Sequence, residues 1–220
     1  MADHLSDQEQ LQVIKNWWKE NGRYLIICIA VSVSAYLGWQ WWTKSQQQYA
    51  EQASAIYSEL VASVATSGVE PLNSDKLTTA HFLVKQLKND FSDTAYAVNA
   101  ALLQAKLEVD KGALDSAVDA LNFAIDNGNS DIQVVATHRL ARVYLAQKNT
   151  DEALALASYD KDDAFSSKYA DLRGDIYSAK GDVVAAIAAY RQALEKITDG
   201  DGIQRNLIEI KLADLSAGGE

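Results

Sequence analysis

The sequence predicts an all-α protein: a single N-terminal transmembrane helix followed by an α-solenoid of helical hairpins. Three observations predict it. Residues 24–42 carry no charge, and all five tryptophans lie within or beside them. Farther on, small residues recur at spacings of 36 and 33 in two parallel series. The chain has a single proline, Pro71, and no sustained apolar/polar alternation, so helices run uninterrupted and a β domain is excluded. The division expected is 1–23 as a cytoplasmic amphipathic segment, 24–42 as the membrane span, and 43–220 as a repeat domain on the far side of the membrane.

The 220 residues suffice for one anchor and one domain of ordinary size. A net charge of −10 excludes nucleic acid as a partner, because phosphate binding needs an excess of Lys and Arg. The lone cysteine, Cys28, lies in the apolar stretch. No intramolecular disulfide can form, and the residue reads as a small lipid-facing or helix-packing group.

The first element is a short amphipathic piece. Leu11, Ile14, Trp17 and Trp18 fall at helical spacing, with Gln10, Gln12, Lys15, Asn16 and Lys19 between them. It reads either as a helix at the inner membrane surface running into the anchor, or as a docking helix for a partner.

The second element is the anchor, YLIICIAVSVSAYLGWQWW. At about 1.5 Å per residue a helix of this length spans roughly 28 Å, close to a bilayer's hydrocarbon core. Trp17 and Trp18 lie before it, while Trp39, Trp41 and Trp42 close it. Two aromatic belts would be placed this way, since indole has an apolar body and a polar N–H. Lys15, Lys19 and Arg23 precede the span; after it come Lys44 and then no basic residue until Lys76. Basic flanks stay in the cytoplasm, so the N-terminus is expected inside and the bulk of the chain translocated. A cleaved signal peptide fits less well: the apolar run is long, and cutting at Ser32-Val33-Ser34 would leave much of it on the mature chain.

Next come two helices expected near 49–64 and 77–89, and then three similar stretches at 102–125, 138–158 and 171–194. Each reads as helix, tight turn, helix. The equivalent small residues are Ala105, Ala141 and Gly174 in the first helices and Ala117, Ala153 and Ala186 in the second. Their spacings bracket the 34-residue period of tetratricopeptide repeats. A small residue lets the paired helix approach closely, and Tyr144 and Tyr177, three positions later, pack between helices. Gly112 and Gly181 are expected to end first helices, with Asp182 capping the next one. The third copy is the best, with Gly174, Tyr177, Gly181, Ala186, Tyr190 and Ala193 at consensus positions, although Thr198 replaces the consensus proline. The first copy has Glu108 where an aromatic belongs, and the second helix of the middle copy is short. A closing helix over 203–215 caps the stack. Generic helical hairpins that do not stack are the alternative.

The sequence offers no constellation for catalysis. His4, His81 and His138 lie on separate elements without ligand-spaced partners, and read as packing or surface residues. No nucleophile elbow, Walker loop or dinucleotide fingerprint is present, and Gly200-Asp201-Gly202 reads as a loop. Asp160, Asp162 and Asp163 read as a solvated acidic loop rather than a cation site. No cofactor, metal or small-molecule substrate is expected. What remains is surface. A solenoid's inner face is lined by its first helices, which here would present Asn99, Leu102, Lys106, Val135, His138, Arg142, Lys168 and Asp171. That face is the candidate protein-binding face; ordinary solvated helix faces are the competing reading.

The whole chain resembles the YfgM family of bacterial inner-membrane proteins, the ancillary subunits of the SecYEG translocon. The resemblance is carried by VIKNWWKENGRYL before the anchor, GWQWW at its exit, RLARVYLAQ in the middle repeat and ADLRGDIYSAKGD in the last. It implies a periplasmic tetratricopeptide-like domain tethered beside the translocon. It also implies partnership with a PpiD-like membrane-anchored chaperone and with exported proteins, and it supplies no catalytic residues. A different class of function stays open beside it: a membrane-anchored regulator whose cytoplasmic N-terminal segment binds a signalling protein.

Overall fold

A computed structural model describes residues 7–65, 74–159, 161, 163–197 and 201–217. His4, Pro71, Asp160, Asp162, Thr198 and Gly200 lie outside the described residues. Among the described residues the secondary structure is helical throughout. The chain divides into two compact units, residues 1–52 and 53–220.

The first unit consists of most of α1, Asp7–Val64. The sequence reads as an amphipathic helix running into the anchor, followed by a further helix over 49–64. One unbroken helix carries all three. The physical reason is composition: no proline interrupts the run, and the polar stretch after the tryptophans, KSQQQYAEQASA, is made largely of good helix formers. Gly22 and Gly38 are tolerated inside it. Residues 24–42 are exposed on every side of the helix, including Ile26, Ile29, Val31 and Leu37. That rules out the core helix of a soluble domain. This is the one helix among the described residues long and apolar enough to cross a membrane.

Among its described residues the second unit holds the end of α1 and eight further helices: α2 Ser74–Asp90, α3 Ala95–Asp110, α4 Leu114–Asn127, α5 Ser130–Ala146, α6 Thr150–Leu156, α7 Ser166–Ala179, α8 Val183–Glu195 and α9 Gly202–Ala217. From α2 onward successive helices pack against one another, so the hairpins α3–α4, α5–α6 and α7–α8 follow in chain order, with α9 on α8. The seven-residue α6 is too short to separate its neighbours, and α7 also touches α5. Tyr169 of α7 fills that contact: it is buried, and its hydroxyl donates to the Val134 carbonyl at 2.8 Å.

The repeat rests on small residues. Ala105, Ala117, Ala141, Ala153 and Ala186 are all buried in the apolar clusters between helices. Gly174 is buried too, and a Cβ there would meet the ring of Tyr190 on α8, 2.8 Å from Cζ. The turns repeat as well. Gly112 and Gly181 adopt φ of 77° and 76°, and Lys148 adopts 65° at the matching place in the middle copy. In all three the next amide reaches back to a carbonyl five residues earlier: Ala113 to Glu108, Asn149 to Tyr144, Asp182 to Tyr177, each at 2.8–2.9 Å. This is the helix-ending geometry that satisfies the last carbonyls with one left-handed residue. Side-chain caps start the helices: Thr94 accepts from Ala97 N, Asn129 from Ile132 N, and Asp182 from Ala185 N.

Glu108 takes the place of an aromatic without leaving a hole. It is 5% exposed and accepts a hydrogen bond from His81 Nε2 of α2 at 2.6 Å, with Lys111 Nζ 3.8 Å from its other oxygen. The first copy is joined to the preceding helix by a polar contact at a position where the later copies carry tyrosine.

Candidate protein-binding face

The eight residues of the expected face lie on three helices, as the repeat spacing requires. Asn99, Leu102 and Lys106 are on α3; Val135, His138 and Arg142 are on α5; Lys168 and Asp171 are on α7. The helices bring them into different surroundings. Leu102 is half-buried against the apolar cluster of α3, α4 and α5, so its role is packing. Asn99 and Val135 are half-buried, while Lys106, Arg142 and Lys168 are exposed.

Lys106 and Arg142 line one groove of about 360 Å³ between α3 and α5, floored by Ala105, Leu121 and Val143. Lys106 Nζ lies 2.9 Å from Asp110 Oδ2, one turn along the same helix. Both groups are well exposed, so the pair contributes little to stability, but it offsets one positive charge of the groove. Arg139, one turn before Arg142, lines the same groove with Asp110 and Ala146. The sequence reading missed these three. Their signal was available, since each stands three or four residues from a named position on the same helix and therefore on the same face.

His138 sits where α5 meets α7. Its Nε2 is 3.3 Å from the Lys168 carbonyl, and its ring stands edge-on to Tyr169 with centroids 5.1 Å apart. Burial pushes its pKa down to about 4; the charges of Arg142, Lys168 and Arg139 act in the same direction, against the backbone hydrogen bond. The imidazole is therefore neutral at pH 7, and its donor role toward Lys168 fixes the Nε2–H tautomer. Tyr169 is pushed up to about 12, chiefly by burial, and Tyr159 stacks on it at 4.5 Å.

At Asp171 the face is covered. Lys211 of α9 lies 2.7 Å from Asp171 Oδ1 and 2.6 Å from Asp175 Oδ1, and Tyr190 donates to Asp175 at 2.7 Å. Burial raises the Asp171 pKa above the usual carboxylate range; Lys211 is raised as well, because its two carboxylate partners outweigh the desolvation that would lower it. Asp171 thus joins the closing helix to the stack, which the spacing argument alone did not place. The acidic loop is also structural where described: Asp163 accepts from Tyr159 and from the amide of Phe165.

These features define a class: an α-helical repeat protein that carries one helix able to cross a membrane. The family model of a tetratricopeptide repeat-like domain matches residues 15–217. The chain is 31% identical to a protein of Haemophilus influenzae named ancillary SecYEG translocon subunit, and 32% identical to one of the same name from Aggregatibacter actinomycetemcomitans. The identity is 27% with the protein of that name from Escherichia coli strain K12. Each alignment covers 98% of this chain and 100% of the relative. No solved structure matches the chain. The chain belongs to this family, the YfgM family of ancillary SecYEG translocon subunits. It is a membrane-anchored protein with a tetratricopeptide-like domain.

Proposed function

We propose that this chain is a non-catalytic scaffold of the bacterial inner membrane that stands beside the SecYEG translocon. Its N-terminus is cytoplasmic and its repeat domain periplasmic. There the repeat domain binds partner proteins, namely the translocon, a PpiD-like membrane-anchored chaperone and exported proteins in transit. The observation that carries this reading is the full length of the match to proteins named ancillary SecYEG translocon subunit. The alignments run over both the exposed apolar helix and the solenoid of this chain, so the likeness is not to the repeats alone.

The physical logic supports it. A solenoid offers a fixed, extended surface with little to reorganise on binding. Tethering to the membrane of the translocon raises the local concentration of both, so a weak contact suffices. The test is crosslinking in intact membranes followed by mass spectrometry of the captured proteins. Translocon subunits and a membrane-anchored chaperone are expected on the wild-type chain. Their absence, with abundant capture of cytoplasmic signalling proteins instead, would overturn the scaffold in favour of a regulator acting through residues 1–23.

A further inference from the structure

The groove between α3 and α5 has a specific chemistry. Its floor is apolar, with Leu121 and Val143 buried and Val109 left 42% exposed at the edge. Its rim carries Lys106, Arg139 and Arg142 against the single acid Asp110. Asp110 is engaged by Lys106. Arg139 and Arg142 form no ion pair with a carboxylate among the described residues, although acids outnumber bases 30 to 20 in the sequence. Two guanidinium groups without a carboxylate partner thus stand beside exposed apolar surface. Spaced three residues apart, they lie on one helix face, and a guanidinium's planar fork matches a carboxylate.

We propose that this groove binds a short extended segment of a partner protein in which an apolar side chain is followed closely by a carboxylate. The apolar group seats on Val109 and Leu114, and the carboxylate lies against Arg139 and Arg142. The inference rests on the scaffold reading above and gives it a ligand chemistry. Charge complementarity selects the occupant: in a molecule of net charge −10, a local positive rim favours an acidic segment at this groove. The volume, about 360 Å³, suits one or two side chains and not a folded domain.

The experiment uses the full chain in nanodiscs of zwitterionic lipid, with empty nanodiscs as the blank. Fluorescence anisotropy follows two labelled peptides of equal length, one alternating leucine and glutamate, the other leucine and glutamine. The glutamate peptide is expected to bind about tenfold more tightly, with an advantage that shrinks as salt rises. Arg139→Gln with Arg142→Gln should bring it down to the level of the glutamine peptide, while Arg191→Gln on α8 should change nothing. Should the double variant lose helicity, Val109→Asp serves instead: it puts a carboxylate at the groove edge and should repel the same peptide. Equal affinity for the two peptides, or undiminished glutamate binding by the double variant, would overturn the proposal. The scaffold reading is decided separately by recovery of translocon subunits from crosslinked membranes, so either reading can fail while the other stands.

Discussion

Gly174 of α7 lies against the aromatic ring of Tyr190 on α8, so closely that the site has no room for a Cβ. Tyr190 cannot swing aside freely, because its hydroxyl donates to Asp175 and Lys211 stands over its ring at 5.3 Å. Helix propensity alone would make Gly174→Ala stabilising by about 1 kcal/mol. The clash reverses the sign. A net loss of about 1–3 kcal/mol is expected, read as a lower melting temperature by circular dichroism. Adding Tyr190→Leu, which removes the ring, should recover part of it. A Gly174→Ala protein that melts at or above the wild type would show that α7 and α8 are not in this close contact.

The three helix-ending turns offer a cleaner test of backbone conformation. Gly181 has φ of 76° with open space where a Cβ would go, so only the dihedral distinguishes glycine from other residues there. Lys148 holds the same conformation without that freedom. Lys148→Gly should stabilise by about 0.5–1 kcal/mol, and Gly181→Ala should destabilise by about 1 kcal/mol. Denaturant midpoints measure both. Shifts of the same sign would break the equivalence of the two turns.

Glu108 and His81 should be energetically coupled. The carboxylate is buried, and without the imidazole it keeps only the longer contact to Lys111. His81→Ala is therefore expected to cost about 1–3 kcal/mol, more than an ordinary half-exposed substitution. In a double-mutant cycle with Glu108→Ala the interaction energy should be about 1–2 kcal/mol. Additive losses would mean that the two side chains do not sense one another.

Much of this architecture was legible because repeats print their geometry on the sequence. The spacing of Ala105, Ala141 and Gly174 located the hairpins, and Gly112 and Gly181 located two of three turns. Lys148 hid the third, since a lysine carries no signal for a positive φ; only its position in the period does. Glu108 read as a defect of the repeat because its partner, His81, is 27 residues away on another helix. Asp171 illustrates the same limit: its ion pair with Lys211 spans 40 residues, which no local spacing encodes. In α1 the anchor also runs on into the helix expected over 49–64, and nothing in the chain marks a break between them. The chemistry of the groove was half visible, with Lys106 and Arg142 on the expected face and Arg139 one turn away.

The proposed orientation rests on Lys15, Lys19 and Arg23 against the lone Lys44. An alkaline phosphatase fusion after Glu220 should be active and one at residue 20 inactive. Replacing Lys15, Lys19 and Arg23 by glutamine should reduce the contrast. The reverse pattern of activities would place the repeat domain in the cytoplasm and remove the periplasmic part of the proposal.

The pH dependence of stability should expose His138. Its pKa in the folded chain is about 4, against 6.5 for an ordinary histidine, with burial as the main cause. Above pH 6.5 neither state binds the proton, and the neutral imidazole costs nothing. Between 6.5 and 4 the unfolded chain takes up a proton that the folded chain refuses, so unfolding gains ground as the pH falls. Stability is thus fully present above pH 6.5 and is lost progressively down to about pH 4, below which this residue contributes no further slope. The ring keeps one edge toward solvent, which limits the loss to about 1–2 kcal/mol. The charges that add to the effect of burial lie on both packed helices, Arg142 and Arg139 on α5 and Lys168 on α7, and the ring of Tyr169 on α7 packs edge-on against the imidazole. His138→Gln preserves a donor toward the Lys168 carbonyl but cannot titrate. Chemical denaturation of wild type and variant at pH 7, 6, 5 and 4.5 should therefore give curves that diverge toward low pH, with the variant losing less. Carboxylates titrate in the lower part of this range in both proteins and cancel in the difference. Parallel curves would mean that His138 is solvated in the folded chain, and that α5 and α7 do not close over it as the contact with Tyr169 requires.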